Sequence, residues 1–410
     1  MNNPQIREAV DVQLIQDQAD KIIYLSCKLG ISQPLALVAA VGPILMMLDG
    51  THALEAIKAH FSQQGVDEQI IDRVLQVLND NYYLSTQRYF DKKQTTLTEF
   101  QAGSIRAAAH AGRIYSNDVT ELNLYLEKVL SDQTLKLTQF SDRKLVGLVS
   151  PHIDYRRGST GYAHAYKQLA SQKPDICVLI GTSHQAGRSL FQLSKKDFAC
   201  PNGTLTVAKD FMSALLKGYG EDRALADELL HRQEHSLELQ LPFINYYCPD
   251  TKIVPILVGN FYPYLRETQG PSSDSEYSEF VDCLAETITK FTDNGAHITI
   301  VAGVDMSHIG QNFGDEFLLN QAKIVETEAQ DKIYLDTILS LSSAQMFEHV
   351  AKDRDQRRIC GFPTMHTILD VLAKQNKDYK TELLNYQQAV DFETECLVSY
   401  AAMGIYETAC

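Results

Sequence analysis

Three histidines follow apolar, strand-like segments of this sequence at nearly the same point. The segments LVGLVSPH, CVLIGTSH and IVAGVDMSH end in His152, His184 and His308. Ligands of open parallel sheets bind at the carboxyl ends of the strands, so we expect these imidazoles to converge on one crevice. Neutral imidazole is a ligand for iron, copper and zinc, and rigid strand ends can hold an open coordination site. The spacing therefore predicts a shared site with metal chemistry.

A carboxylate or a thiolate is expected to complete this site. Asp305 lies three residues before His308 and is either a metal ligand or a hydrogen-bond partner of an imidazole. Cys360, in RRICGFPTMHTILDVL, directly precedes a predicted helix. The helix N-terminus and the adjacent Arg357 and Arg358 would favour its thiolate form. A buried, inert cysteine is the alternative.

A fourth cluster lies in HRQEHSLELQLPFI, residues 231–244. His231 and His235 are four residues apart and Glu238 follows His235 by three, so one helix would present them together. The spacing differs from the HExxH of zinc peptidases, and a solvated helix face is the alternative. Ser236 lacks the glycines of a nucleophile elbow, which argues against a serine hydrolase. The chain has neither GxGxxG nor GxxxxGK[ST], so no nucleotide cofactor is expected.

The histidines must be positioned by an alternation of strand-like and helix-like segments. Apolar, β-branched runs recur as KLVGLVS, ICVLIG, KIVPILVG, HITIVAGV and CLVSYAAMGIY, with helix-period segments between them. Continuous apolar strands that alternate with helices are typical of a sheet covered on both faces. Residues 104–410 are therefore predicted to form an α/β domain, a mostly parallel or mixed sheet sandwiched by helices.

Residues 1–90 carry no convincing catalytic motif and predict a separate small domain. Helical spacing predicts three or so short helices, and NYYLSTQRYF predicts a strand-like ending. Together these elements predict a winged-helix-like module. The pattern around LDGTHALEAI resembles the PqqD-like peptide-recognition modules of radical-SAM and peptide-modifying systems. A helical packing or oligomerisation domain is the alternative. Residues 91–103 are polar and Thr-rich and are predicted to be a linker.

The amino-acid composition argues against some classes of binding partner. The 410 residues include 37 Lys and Arg against 52 Asp and Glu, a formal net charge of -15. Such a charge repels nucleic acid and anionic membranes, so neither is an expected partner. The most apolar stretch, residues 34–50, is too short to span a bilayer, and the polar N-terminus lacks a secretory signal. Eight scattered cysteines without a CxxC pair predict free thiols and a cytoplasmic protein.

From about residue 104 to the end, the motifs resemble the Memo family, specifically the AmmeMemoRadiSam system protein B group. The segments AHAGRIYS, SPHIDYRRG, IGTSHQ, EHSLELQLPFI, KIVPILVG, VDMSHIG, ICGFPTMHTIL and SYAAMGIY follow the family's order. The resemblance implies a fold similar to that of the class III extradiol dioxygenases. It also implies a radical-SAM protein and an AMMECR-type protein as partners.

The resemblance further implies the chemistry of individual residues. It implies a mononuclear iron or copper site, with zinc as the alternative, whose ligands are His152, His184 and Cys360. His308 takes the position of the dioxygenases' acid–base histidine. Further catalytic or neighbouring roles fall to Asp305, His235 and Glu238.

Two features depart from these patterns. The dioxygenases use a carboxylate as third metal ligand where ICGF supplies a thiolate, so ring cleavage is not implied. Asp154, followed by Arg156 and Arg157, stands where many relatives have glycine. These charges predict either a site for an anionic or peptide ligand or a surface ion pair.

The predicted function is a redox or oxygen-dependent step at a mononuclear metal. Two alternatives stay open at this point. One is a non-catalytic module that binds a peptide or phosphopeptide in the same crevice, and the other is a zinc-dependent hydrolase. A homodimer is the expected oligomer.

Overall fold

The computed structural model describes residues 2–17, 20–27, 29–132, 134–135, 137–267 and 269–408. The chain divides into two compact units, Met1–Gly103 and Ser104–Cys410. Within the described residues, none of the helices combines the length and apolarity needed to cross a membrane. The cysteines in this part of the chain are all free thiols.

The smaller unit is an antiparallel three-stranded sheet followed by four helices. Its strands β1 to β3 are Val10–Asp17, Asp20–Cys27 and Leu35–Val38, and its helices α1 to α4 are Gly42–Met46, Leu54–Ser62, Glu68–Asp80 and Gln87–Ala102. Apolar residues of the sheet and the helices form one core, which includes Ile23, Leu25, Ile57, Phe61 and Leu78.

Two predictions for this unit are wrong. The sheet precedes the helices, whereas the sequence predicted helices that close on a hairpin. The segment NYYLSTQRYF is not a strand-like ending but leads into α4, which also contains most of the predicted linker 91–103. Tyr89 and Thr96 of α4 are buried and lie two helical turns apart, so packing stabilises a helix whose composition is that of a linker.

The larger unit contains eleven strands and eleven helices among its described residues. The strands β4 to β14 are Ile105–Arg106, Leu145–Ser150, Ile176–Thr182, Phe191–Leu193, Asp197–Cys200, Gly203–Leu205, Lys252–Val258, Ile298–Gly303, His308–Ile309, Tyr379–Asp391 and Cys396–Glu407. The helices α5 to α15 are Val119–Leu130, Tyr155–Tyr166, Lys209–Tyr219, Glu221–Leu225, His235–Glu238, Leu241–Tyr247, Tyr262–Glu267, Ser275–Asp293, Gln321–Leu339, Ser343–Ala351 and Phe362–Lys374.

One large mixed sheet organises this unit. Its strand order is β12-β14-β5-β11-β6-β10-β7, with β13 paired to β14. Strands β5, β11, β6 and β10 are parallel, and β7 and β14 run antiparallel to their neighbours β10 and β5. Helices α12 and α15 pack on the central strands, while α6 packs on β5 and β14. The predicted α/β class with a mixed sheet flanked by helices is confirmed.

The central strands explain why their sequences are apolar throughout. All residues of β6 and β11 are buried, as are all but the first of β10. Strands covered on both faces have no solvent side and therefore lose the alternation of polar and apolar residues. The five segments predicted as strands correspond to β5, β6, β10, β11 and β14.

Candidate metal centre and adjoining cavity

The candidate site lies at the carboxyl ends of three adjacent strands. In the sheet, β11 lies between β5 and β6, and Gly303 at its end is opposite Ser150 and Gly181. His152 follows β5 by two residues and His184 follows β6 by two residues. Because the three strands end at one level, both imidazoles emerge at the same edge of the sheet.

A third histidine reaches this edge from outside the sheet. His235 opens the short helix α9, which lies directly over the ends of β6 and β11. A Cβ at Gly181 would meet Ser236 Oγ at 2.5 Å, and one at Gly303 would meet Ser236 O at 2.2 Å. Glycine at these two strand ends therefore permits the close approach that brings His235 to the site.

The three imidazoles form a compact cluster. Ring centroids are 5.0 Å apart for His152 and His184, 5.0 Å for His152 and His235, and 4.6 Å for His184 and His235. One nitrogen from each ring lies within 4.8 Å of the other two. Nitrogens at such separations can bind one ion after small side-chain adjustments.

Contacts at Nδ1 leave the same nitrogen, Nε2, of each ring available to bind a metal. His152 Nδ1 lies 2.9 Å from Gly303 O, so it donates its proton and leaves Nε2 with a lone pair. The Glu234 carboxylate lies 3.0 Å from His184 Nδ1 and 3.2 Å from His235 Nδ1. Such partners fix the tautomer that a metal ligand needs. The donor set therefore fits a metal ion bound through three Nε2 atoms.

Glu234 is itself firmly held. Its Oε1 accepts hydrogen bonds from the backbone N–H groups of His235 and Ser236, at 2.8 and 3.0 Å, as the N-cap of α9. Its Oε2 accepts one from His184 N at 3.0 Å. Burial alone would raise the pKa of Glu234, but His184 and His235 hold it well below its usual value. One ionised carboxylate thus orients two of the three imidazoles.

Cys360 lies beside the cluster, next to one of its members. Its Sγ is 3.2 Å from His152 Nε2 and 3.6 Å from Asp305 O. Burial, with the neighbouring Asp305 carboxylate, raises the pKa of Cys360 well above its usual value. Burial therefore favours the thiol form of Cys360 over the predicted thiolate. The thiol can donate to His152 Nε2, and after loss of its proton the sulfur could be a further metal ligand.

The two arginines expected to activate Cys360 have other partners. Arg357 pairs with Asp331 at 2.9 Å, and Arg358 pairs with Asp315 at 2.6 Å. Their ion pairs anchor the segment that leads into Cys360 rather than stabilising a thiolate.

Asp305 follows the end of β11 by two residues, whereas His308 is the first residue of β12 and is not one of the three clustered histidines. Asp305 Oδ1 accepts a hydrogen bond from His152 N at 2.9 Å, and its Oδ2 lies 3.6 Å from His152 Nε2. His308 Nδ1 lies 3.0 Å from Met306 O and 3.2 Å from Arg358 O, so Nε2 carries the lone pair. Burial lowers the pKa of His308 to about 4, which keeps the ring neutral at pH 7.

The expected helix face of residues 231–238 is not formed. His231 belongs to a separate turn of 3-10 helix, Glu228–Arg232, and its Nε2 lies 3.0 Å from Gln192 O. Glu238 turns away from His235 to a buried ion pair with Arg106, and both side chains are fully inaccessible. The prediction of one shared face is wrong because the chain breaks between two short helices at Gln233 and Glu234.

The pair of Arg106 and Glu238 connects the first residues of the larger unit to the segment that contains His235. Glu238 also accepts hydrogen bonds from Ala109 N at 3.0 Å, His110 N at 2.8 Å and Tyr115 Oη at 2.6 Å. Arg106 donates through Nε and one terminal nitrogen to the carbonyls of residues 231 and 234, both at 2.9 Å. The network holds the backbone on both sides of His235.

Asp154 and Arg157 form an ion pair. Arg157 Nε lies 2.5 Å from Asp154 Oδ2, and Asp154 caps α6 by accepting a hydrogen bond from Arg157 N. Neither side chain lines the cavity described below. The surface ion pair, one of the two predicted readings, is therefore present, and a substrate-binding role for Asp154 and Arg157 stays a prediction.

A cavity of about 320 Å³ adjoins the histidines. His184, His308 and Cys360 contribute its polar wall beside the cluster. Asp355 and Arg358 also line the cavity, and most of the other lining side chains are aromatic or otherwise apolar: Phe261, Tyr262, Leu265, Phe313, Ile359 and Phe362. An apolar enclosure with a few convergent polar groups is the usual form of a small-ligand site.

Sequence reasoning missed Glu234, Arg106 and His110. The ring of His110 lies 5.9 Å from that of His235, and its Nε2 lies 2.9 Å from Gln233 O. The adjacency of a glutamate to His235 in QEHS was a usable signal, since carboxylates often orient metal-binding imidazoles. The sequence around Arg106 contains no such signal, because its partner Glu238 is 132 residues away.

Comparisons with known proteins cover most of the chain. A family model described as Memo-like protein matches residues 106–404. A "MEMO1 family protein" of Aquifex aeolicus is 26% identical over 396 residues, which are 96% of this chain and 98% of that protein. A "MEMO1 family protein" of Desulfurococcus amylolyticus is 28% identical over 267 residues, 64% of this chain and 83% of that protein. The Aquifex match therefore extends over the smaller unit as well.

A solved structure of the heterocyclase TruD also matches, with 14% identity over 71% of this chain and 52% of that chain. Its TM-score of 0.18 is too low to indicate a shared fold.

Proposed function

We propose, from the premise that the chain belongs to the Memo-like protein family, that its larger unit binds a mononuclear metal ion for a redox or oxygen-dependent step. The observation that carries the proposal is the convergence of His152, His184 and His235 within 4.8 Å. Each Nδ1 of these rings has a protein acceptor, so their Nε2 atoms are prepared as ligands. Cys360, beside His152, is the fourth ligand in this proposal.

Iron or copper would supply one-electron chemistry at this site and polarise a bound oxygen atom. The protein supplies orientation and proton handling. Glu234 holds two imidazoles in place, and Asp305 holds the backbone N–H of His152. His308 faces the cavity as a neutral base, and its Nε2 can accept a proton from a ligand and return it.

The cavity limits what can react. Its volume of about 320 Å³ suits a small molecule or one large side chain of a peptide. The apolar side chains exclude water from a bound group, and Arg358, although paired with Asp315, adds a positive charge to the lining. The substrate class that fits is a molecule with an apolar body and a polar group directed at the histidines.

Elemental analysis of protein purified without oxygen tests the proposal. We expect one iron or copper ion per chain in the native protein and loss of that ion in His152→Ala. His60→Ala, which alters an exposed histidine on α2, serves as the control and should retain the metal. A native protein without metal, or a His152→Ala variant that keeps it, would contradict the site. Zinc alone would instead favour the hydrolase.

A second candidate function, peptide binding without catalysis, is favoured by the aromatic wall and by Arg358. A bound peptide could place an aromatic or phosphorylated side chain there without any metal. The discriminating measurement is binding of a phosphotyrosine peptide to His152→Ala. Unchanged affinity in the metal-free variant supports the module, and loss of binding with loss of metal supports the metal-dependent function.

Three further features belong to the proposal. The sheet is proposed to be related to that of the class III extradiol dioxygenases. A radical-SAM protein and an AMMECR-type protein are the proposed partners, in the cytoplasm, with the protein as a homodimer. The smaller unit is proposed to recognise a peptide, since Val12 and Leu14 of its edge strand are 55% and 61% exposed. Unchanged partner binding after deletion of residues 1–103 would refute that role.

A further inference from the structure

A second cavity, of about 400 Å³, lies in the larger unit. It is bounded by α13, α14 and two segments, residues 309–317 and 352–357. It lies apart from the histidine cluster, since none of the three clustered histidines lines it. Its size is within the range of sites for small ligands.

The second cavity shares a wall with the first. His308, Asp355 and Arg358 line the cavity beside the histidines, whereas the adjacent Ile309 and Arg357 line the second one. The two segments of this wall are joined by a hydrogen bond of 2.7 Å from His308 N to Arg357 O. A ligand in the second cavity would therefore contact the segment that holds His308.

The second cavity is lined by three cations and three carboxylates, namely Lys323, Lys352, Arg357, Asp315, Glu326 and Asp353. Four of these six charges are neutralised by short pairs that do not need a ligand. Lys323 pairs with Glu326 at 2.9 Å, and Asp315 pairs with Arg358 at 2.6 Å. Arg357 pairs with Asp331 at 2.9 Å, so the remaining charges of the wall are those of Lys352 and Asp353.

Lys352, Asp353 and the Nε atom of Arg357 have unused hydrogen-bonding capacity. Lys352 has no ion pair within the described ranges. The side chain of Arg357 is only 10% exposed, and its Nε lies 3.9 Å from Asp353 Oδ2, beyond hydrogen-bond distance. Arg357 Nε and Asp353 Oδ1 are both buried without a hydrogen-bond partner among the residues that the structure describes. Buried polar atoms normally find partners, so the pattern indicates a ligand with both signs of charge.

We propose that the second cavity binds a small zwitterion that carries an ammonium and a carboxylate group, such as a dipeptide or a free amino acid. The carboxylate would pair with Lys352 and accept a hydrogen bond from Arg357 Nε, and the ammonium would pair with Asp353. A ligand with only a negative charge would leave Asp353 unpaired beside it, and one with only a positive charge would face Lys352 and Arg357. Complementarity of both signs therefore selects the zwitterion.

Calorimetric titration of the full-length protein with L-alanyl-L-alanine tests this site. N-acetyl-L-alanyl-L-alanine and L-alanyl-L-alaninamide are matched probes that each keep one charge. We expect saturable binding of the dipeptide with a dissociation constant of about 1 mM or below, and binding about tenfold weaker for either singly charged probe.

Two variants and one control complete the test. Lys352→Gln and Asp353→Asn, checked for native circular dichroism, should each weaken dipeptide binding about tenfold. Lys332→Gln, which removes an exposed lysine of α13 outside the cavity, should leave it unchanged. Absence of saturation, equal affinity for the singly charged probes, or wild-type affinity in both cavity variants would overturn the proposal. Since the test requires no metal, its result is separate from that of the proposed metal centre.

Discussion

The role of Glu234 gives the sharpest test of the metal centre. Replacement by glutamine keeps the size of the side chain but makes one oxygen position an amide NH2. Oε1 accepts from two backbone N–H groups and faces both imidazoles, while Oε2 accepts from His184 N. In either orientation the NH2 group would face a backbone donor. The side chain would therefore leave its position, and the rings of His184 and His235 would lose their shared acceptor.

The magnitude follows from the number of rings affected. Loss of a residue that orients metal ligands typically lowers metal affinity by about 10- to 100-fold. Because Glu234 orients two of the three imidazoles, we expect Glu234→Gln to fall near the upper end. A loss of about 100-fold in metal affinity corresponds to about 2.7 kcal/mol of binding free energy.

The assay is a competition titration of metal-free protein against a chromophoric chelator, with cobalt(II) as a spectroscopic probe and iron(II) as a second metal. Glu276→Gln is the matched control, because Glu276 also accepts a backbone N–H and a tyrosine hydroxyl, at 2.8 and 2.7 Å, away from the histidines. It should leave metal affinity unchanged. A Glu234→Gln variant that folds and binds metal with wild-type affinity would refute the reasoning.

The remaining predictions concern the ligand set, the support of the site and pH. His235→Ala should lower metal affinity more than Cys360→Ser in the same titration, because His235 belongs to the three-nitrogen cluster. A larger loss in Cys360→Ser would instead support His152, His184 and Cys360, the ligands implied by the family resemblance. Arg106→Met should lower the free energy of unfolding by about 3–5 kcal/mol in urea denaturation, because it leaves the Glu238 carboxylate buried and unpaired. A loss below about 1 kcal/mol would show that the ion pair is not needed for stability. Burial lowers the pKa of His231 from 6.5 to about 4, so the unfolded chain binds its proton first and stability should fall as the pH drops from 6.5 to 4. His231→Gln should lack this pH-dependent loss of unfolding free energy, which reaches about 3 kcal/mol by pH 4. If the unfolding free energies of the two proteins depend on pH equally, the assignment to His231 is contradicted.

The large sheet could be predicted because its strands carry their own signal. Segments such as ICVLIG and HITIVAGV are apolar along their whole length, as burial on both faces requires. The ends of these strands were also visible, since Ser-Pro and Thr-Ser follow the apolar runs before His152 and His184. Parallel strands then bring their carboxyl ends together as a general property of the fold.

Local composition and spacing gave wrong predictions for one segment in each unit. The polar, Thr-rich stretch in α4 has the composition of a linker, yet Tyr89 and Thr96 are buried. Likewise, the spacing of His231, His235 and Glu238 fits one helix, but the chain forms two short helices that send the three side chains to different partners. Helical spacing predicts a shared face only where a continuous helix forms.

By itself the sequence determined the α/β class, the strands of the large sheet and the placement of His152 and His184 at strand ends. These features depend on burial and periodicity, which are recorded residue by residue. Only the tertiary structure decided that His235 joins the cluster, that Glu234 orients two imidazoles, and that Arg106 neutralises Glu238. Each of these contacts joins side chains through packing over glycines or across many residues, and no local pattern specifies which distant groups will meet.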